Sequence, residues 1–177
     1  MKKLVSALLV LAMVFALAGC GTPSEIVKEK ELKKTNFETY FNVQVTFDSV
    51  NTNFSAYDGT DPKYEGGRWM WGTATATVTV TPVSTNKIET NGCKATIKID
   101  CGSPFGSKDV EVTLDENGCY SGNVFFETSK GGVTKDGYTP TDYAKPVAKC
   151  EMVEASGNMK IHIKLDKNGS VITDTEE

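Results

Sequence analysis

Thr73-Ala74-Thr75-Ala76-Thr77-Val78-Thr79-Val80-Thr81 alternates without a break. The even positions Ala74, Ala76, Val78 and Val80 form one apolar face, and the threonines form the other. Successive side chains of a strand point to opposite faces, so this stretch predicts a half-buried antiparallel strand. Moving outward, Lys94–Asp100 repeats the pattern with Ala95, Ile97 and Ile99 inward. Asp109–Leu114 repeats it again with Val110, Val112 and Leu114 inward. Asp115-Glu116-Asn117-Gly118 reads as a turn, since Asn-Gly favours positive φ, and Tyr120, Val124 and Phe126 continue on a return strand. Val147–Val153 predicts a further strand, turned back at Ser156-Gly157-Asn158 into a last one, Met159–Leu165. Upstream, Tyr40–Val50 carries Phe41, Val43, Val45 and Phe47 on one parity.

None of these seven short strands alternates with a helical pattern, which argues against a parallel sheet. They predict an all-β fold, an immunoglobulin-like antiparallel β-sandwich over residues 37–177. A small closed barrel is the alternative. The chain of 177 residues is 39% hydrophobic and 24% charged, which suits one globular domain and excludes a collagen, a long coiled coil or a wholly disordered chain. The formal net charge of -4 leaves no excess of Lys and Arg to neutralise phosphates, so nucleic acid is not an expected partner.

The chain opens Met1-Lys2-Lys3, followed by an apolar run from Leu4 to Ala18 broken only by Ser6. A basic start, a short apolar stretch and small residues at a cut site make a secretory signal over residues 1–19. The run is shorter than the ~20 residues a spanning helix needs. Its end, Leu17-Ala18-Gly19-Cys20, resembles the lipobox of bacterial lipoproteins, whose signal peptides are of type II. The resemblance covers the signal and the modification site alone. It implies that the Cys20 thiol receives a diacylglyceryl group and that cleavage falls just before it. The chain would then be held by its lipid to the extracytoplasmic face of a cell membrane. Loss of residues 1–19 takes Lys2 and Lys3 with it and leaves 17 basic against 23 acidic residues, a charge of -6. From Cys20 to Asn36 the sequence reads as a lipidated cysteine and a charged, solvated tether.

Chemistry-bearing patterns are few. His162 is the single histidine and lies between Lys160 and Lys164 on the polar parity of the last strand, so it reads as a solvated strand residue. There is no phosphate loop, dinucleotide fingerprint or nucleophile elbow, and no cofactor or metal is expected. Asp58, Asp61 and Glu65 share a loop and have oxygen ligands suited to calcium, but not the spacing of an EF-hand. Asp166-Lys167-Asn168-Gly169 reads as a turn.

The body holds four cysteines, Cys93, Cys101, Cys119 and Cys150. An even number in an exported domain points to two disulfides, in one of three connectivities, with four reduced thiols as the alternative. With strands running alternately up and down, Cys93 and Cys119 fall at one end and Cys101 and Cys150 at the other. That predicts the pairs Cys93–Cys119 and Cys101–Cys150.

The functional candidates are aromatic. Residues 51–72 read as a long loop carrying Phe54, Tyr57, Tyr64, Trp69 and Trp71. Trp69 and Trp71 share the parity of Thr73 and Thr75, which aims both rings away from the core if the strand extends backwards. The competing reading buries them as a satellite core. The same alternation gathers this loop, residues 102–108 and the connection 128–146, with Tyr138 and Tyr143, at the end farthest from the tether. The expectation is a lipid-anchored surface binding module. Its site is Tyr57, Tyr64, Trp69, Trp71, Tyr138 and Tyr143, and its ligand a glycan or a protein. The alternative is a structural or accessory subunit of a cell-envelope assembly. No catalytic constellation is visible.

Overall fold

The structure is a computed structural model that describes residues 24–83, 86–102, 105–133 and 147–171. Cys20 and the lipobox, and Tyr138 and Tyr143, lie outside the described residues. Among the described residues eight strands follow in chain order: β1 (Glu25–Lys33), β2 (Phe41–Ala56), β3 (Arg68–Pro82), β4 (Ile88–Thr90), β5 (Lys94–Asp100), β6 (Ser107–Thr113), β7 (Tyr120–Val133) and β8 (Lys149–Lys164). A 3-10 turn at Lys34–Asn36 and one helical turn, α1 (Phe37–Tyr40), join β1 to β2.

All pairings are antiparallel. One sheet has the order β1-β8-β5-β6, with β4 also on β8, and the other has the order β2-β3-β7. The fold is therefore an all-β sandwich of two sheets, not a closed barrel. The immunoglobulin arrangement sets strands one, two, five and four against three, six and seven. This chain shares the sandwich and has a strand order of its own.

One core lies between the sheets. Ala74, Ala76, Val78 and Val80 of β3 meet Ala95, Ile97 and Ile99 of β5, Val110 and Val112 of β6, Val124 and Phe126 of β7, and Met152 of β8. These are the parities that alternation assigns to the inside. Phe37 and Phe41 close one end, their rings 5.2 Å apart. Burial of each such Val, Ile or Phe contributes about 1.5–3 kcal/mol.

Three parts of the sequence reading change. The expected tether contains β1, which pairs with β8 along its whole length, from Glu25↔Lys164 to Lys33↔Ser156. Its register sets Glu25 opposite Lys164 and Glu29 opposite Lys160, and opposite charges facing across a ladder are favourable. One deep anchor holds it: Leu32 is 1% exposed. The side-chain carbonyl of Asn36 then accepts from Lys33 N at 2.8 Å and its amide donates to Glu31 O at 2.9 Å, tying down the exit towards β2.

Second, the two last strands expected on either side of Ser156-Gly157-Asn158 are one continuous strand, β8, of 16 residues. Gly157 is not at a turn. It has φ 130°, and a Cβ there would meet Cys93 Sγ at 2.7 Å and Cys93 Cα at 2.8 Å. The glycine lets β8 pass against β5 where a side chain has no room. Third, Ile88–Thr90 forms β4, a short strand on the far side of β8 from β1.

The sheets overhang each other. Lys94 pairs with both Ser156 and Thr113, which marks one end of the shared region. Beyond it, β8 runs on to Lys164 with β1 and β4 beside it. At the other end the Lys108 ammonium donates to Phe125 O at 3.1 Å, and β7 continues past it to Val133, paired with Arg68. Each overhang is about 25 Å long at roughly 3.3 Å per residue. The start of β1 and the β2–β3 hairpin therefore occupy opposite ends of the molecule.

If β1 belongs to the fold, Leu32→Ala lowers stability in urea unfolding by about 2–5 kcal/mol, the range for a buried leucine. Lys28→Ala on the exposed part of the same strand changes it by less than about 0.5 kcal/mol. Equal, small effects would return the segment to a tether.

Candidate functional site

The aromatic residues collect at the hairpin end of the three-stranded sheet. β2 and β3 pair as far as Ala56↔Arg68, and Tyr57 N donates to Gly67 O at 3.2 Å to close the hairpin. The stretch 51–72, expected as a loop, is thus strand except for residues 57–67. Trp69 and Trp71 are half-buried and alternate with buried Met70 and Gly72, so both indoles are on the outer face, as their parity requires. Phe54, opposite Met70, belongs to the inward side and leaves the cluster.

On the outer face the rings form a mound. The Tyr57 ring lies 4.7 Å from that of Trp69 and 5.5 Å from that of Tyr64. Tyr64 rests on Gly132, where a Cβ would come within 2.9 Å of the ring, so bare backbone makes its seat. The Tyr57 hydroxyl accepts from Asp61 N at 2.9 Å, and Asp61 Oδ1 accepts from Lys63 N at 3.0 Å. Trp69 Nε1 donates to Asp58 Oδ1 at 2.5 Å. That bond, aided by the residue's own backbone and the charge of Lys130, holds the Asp58 carboxyl below the usual aspartate range. The Lys130 ammonium sits 4.9 Å from the Trp69 ring and 5.7 Å from the Trp71 ring, a cation–π arrangement. The rings pack on one another, as a satellite core would, yet they do so outside the sandwich.

Trp71 stands at an irregularity. The β3–β7 register shifts between Met70 and Gly72, and Gly72 N donates instead to the Thr128 hydroxyl at 2.8 Å. Such bulges re-aim side chains. Tyr57, Tyr64, Trp69 and Trp71 are therefore brought together. The flanks of the connection holding Tyr138 and Tyr143 are at this end as well, since Val133 pairs with Arg68 and Lys149 with Asp100.

Below the mound the outer face is polar and nearly uncharged. Thr73 is flanked by Asn51 and Glu127, Thr75 by Ser49 and Phe125, Thr77 by Thr46 and Asn123, and Thr79 by Gln44 and Ser121. Phe125 is 51% exposed there. Sequence reasoning missed it as a site residue, although its parity opposite Val124 and Phe126 was the available signal. It also missed Lys130. The outer face of the other sheet differs in kind: Lys98 lies between Asp109 and Glu151.

The acidic residues do not converge. Asp58 serves Trp69 and Asp61 serves the turn Pro62–Tyr64, while Asp166 Oδ1 accepts from Asn168 N and Ser170 N in its own turn. Among the described residues no group of three or more His, Cys, Asp or Glu could hold a metal.

His162 is not a solvated strand residue. Its side chain is 16% exposed, with Nδ1 against Glu25 of β1 and Nε2 3.3 Å from Glu89 of β4. Lys87 donates to the same Glu89 oxygen at 2.6 Å, and that bond, followed by the nearby His162 imidazole, holds the Glu89 carboxyl low. The two carboxylates lie on opposite edges of the imidazole, so they bridge strands and do not converge on one point.

The four cysteines are free thiols, so neither Cys93–Cys119 nor Cys101–Cys150 is formed. Strand alternation put each pair at the correct end, but none of the four thiols is joined to another. Cys93 Sγ turns to Asn158 O at 3.3 Å, and Cys119 Sγ to Asn117 O at 3.9 Å. Cys150 stands opposite Ile99, one diagonal step from Cys101, and is exposed where Cys101 is buried. Burial, with the charges of Asp100 and Cys150, pushes the Cys101 thiol up to about 11.

The chain matches no family model, no curated protein and no solved structure.

The Asp58–Trp69 contact carries a pH signature. A carboxyl held low in the folded state stabilises fully above the ordinary aspartate value of about 3.9, and that stabilisation is lost as pH falls through the lower folded value. Tryptophan fluorescence should stay level from neutral pH to about 4 and change below it. Asp58→Asn should remove that step, and a step of unchanged size in the variant would assign it to another group.

Proposed function

We propose that this protein is an exported, lipid-anchored binding module whose outer aromatic mound takes a glycan. The observation that carries the reading is the placement of Trp69, Trp71, Tyr57 and Tyr64 on the outer face of the sheet, at the end opposite the start of β1. An aromatic face carries partial negative charge and attracts the slightly positive C–H face of a sugar ring, while buried apolar contact adds to it. Rings fixed on a rigid sheet lose little freedom on binding. Rings meant only for the core would turn inward, as Phe126 does.

The anchor follows from the lipobox Leu17-Ala18-Gly19-Cys20. A tether that begins at Cys20 reaches β1 within five residues and leaves the mound directed away from the membrane.

Two measurements test this reading. On a glycan array, Trp71→Ala should lose binding by tenfold or more while its melting temperature stays within a few degrees of the wild type. Trp69→Ala should lose both binding and some stability, because Trp69 also holds Tyr57 and Asp58. Wild-type binding by Trp71→Ala would remove the mound from function. In cell fractionation, Cys20→Ser should move the protein from the membrane to the soluble fraction, and an unmoved variant would refute the lipid anchor.

A further inference from the structure

The mound occupies only the end of the outer face, and the rest of that face has a chemistry of its own. We infer that the outer face of the β2–β3–β7 sheet is a track that binds one chain of a neutral polysaccharide lengthwise along β3, with the mound holding one end. This rests on the reading of the mound as a glycan site and extends it from a stacking platform to a row of subsites.

Length is the first argument. Outward positions of β3 run from Trp69 to Thr81. At about 3.3 Å per residue this is roughly 40 Å of half-exposed outer face, enough for several consecutive sugar rings. A second ring stands along the way: Phe125 is 51% exposed beside Thr75, two outward positions below Trp71. A sugar chain that stacks on Trp71 and continues along β3 passes it.

Polar chemistry is the second. Between the rings and Thr81 the face is made of hydroxyls and carboxamides, which donate and accept at once. Sugar hydroxyls do the same, so each can be matched without a charge. Several of these groups are already fixed. The Thr77 hydroxyl is 2.8 Å from Asp48 Oδ2 and 3.1 Å from Asn123 Oδ1, and threonine is restricted at χ1. Less entropy is then lost on binding.

Charge selects the class of polysaccharide. The described face carries few charges: Asp48 is engaged by Thr77, Lys130 lies over the indoles, and Glu127 stands opposite Thr73. No cluster of Lys or Arg is present to meet a uronate or phosphate polymer, and no acidic cluster to meet a cationic one. A protein partner fits poorly, because interface cores are enriched in aromatic, Met and Arg residues and depleted in Ser. Here the apolar groups are confined to the rings, and apart from those few charges the remainder is Thr, Ser, Asn and Gln.

The test is affinity electrophoresis of the chain lacking residues 1–20 in native gels. The gels contain mixed-linkage β-glucan, xyloglucan, galactomannan or amylopectin as neutral probes, and polygalacturonate as the anionic one. At least one neutral probe should retard the wild type, and polygalacturonate should not. Thr75→Val with Thr79→Val removes two hydroxyls and keeps side-chain shape, so the apparent dissociation constant for the retarding probe should rise about tenfold, as two lost hydrogen bonds of ordinary worth imply. Phe125→Ala should weaken binding as well, and thermal unfolding of each variant confirms an intact fold. Retardation by polygalacturonate alone, or by no neutral probe, overturns the inference. If the double valine variant binds like the wild type while Trp71→Ala does not, the track fails and the mound stands. If Trp71→Ala also binds like the wild type, the mound reading fails with it.

Discussion

Strand β3 must satisfy two neighbours and two faces at the same time, and the rest of the molecule is arranged around that demand. It is the middle strand of its sheet, so its backbone is paired on both sides, with β2 and with β7. Its even side chains are the floor of the core, and its odd side chains are the outer surface. The inward residues are small, Ala74, Ala76, Val78 and Val80, and they are matched by bulkier Ile97 and Ile99 across the sandwich. A slip of one residue in β3 would put the threonines into that core and the alanines and valines outside. Register in the three-stranded sheet is therefore set by burial, and the position of the indoles follows from it, because Trp69 and Trp71 are the same odd row continued beyond the core.

Much of the fold could be read from local pattern, and the failures have physical causes. Strands β2, β3, β5, β6 and β7 announce themselves because one of their faces is apolar over several residues. β1 does not: Leu32 is its single deeply buried side chain, and its Glu and Lys residues match those of a solvated spacer as well as those of a charged edge strand. What marks it as a strand is complementarity with Lys160 and Lys164, more than a hundred residues away, and no local window contains both. Gly157 misled for a related reason. A glycine between polar residues is the usual sign of a turn, yet here it marks the close approach of Cys93. Strand order is a matter of long-range pairing, so seven alternating stretches predict a sandwich without predicting which strands are neighbours.

The candidate site was legible to a comparable extent. Parity alone placed both tryptophans outside, and alternation of strand direction placed the loops at one end. It could not show that β2 and β3 extend far beyond the core and turn an apparent loop into sheet. Nor could it reveal the register shift at Trp71, the seat that Gly132 makes for Tyr64, or the ammonium of Lys130 above two rings. Each of these depends on β7, which is distant in sequence. The thiols show the same limit: ends can be inferred from direction, but side-chain aim cannot.

The full-length pairing of β1 with β8 has a mechanical consequence. β1 begins at one extreme of the molecule, and the hairpin mound is at the other. A load applied between whatever precedes Glu25 and anything held at the hairpin pulls β1 along its own axis, against β8. The ladder is then loaded in shear, with the bonds from Glu25↔Lys164 to Lys33↔Ser156 sharing the force, and not peeled open one at a time. Leu32, buried at the inner end of the strand, and the contact of His162 with Glu25 at the outer end brace the two ends of that clamp. Against such a load the nine residue pairs of the ladder act together, in parallel.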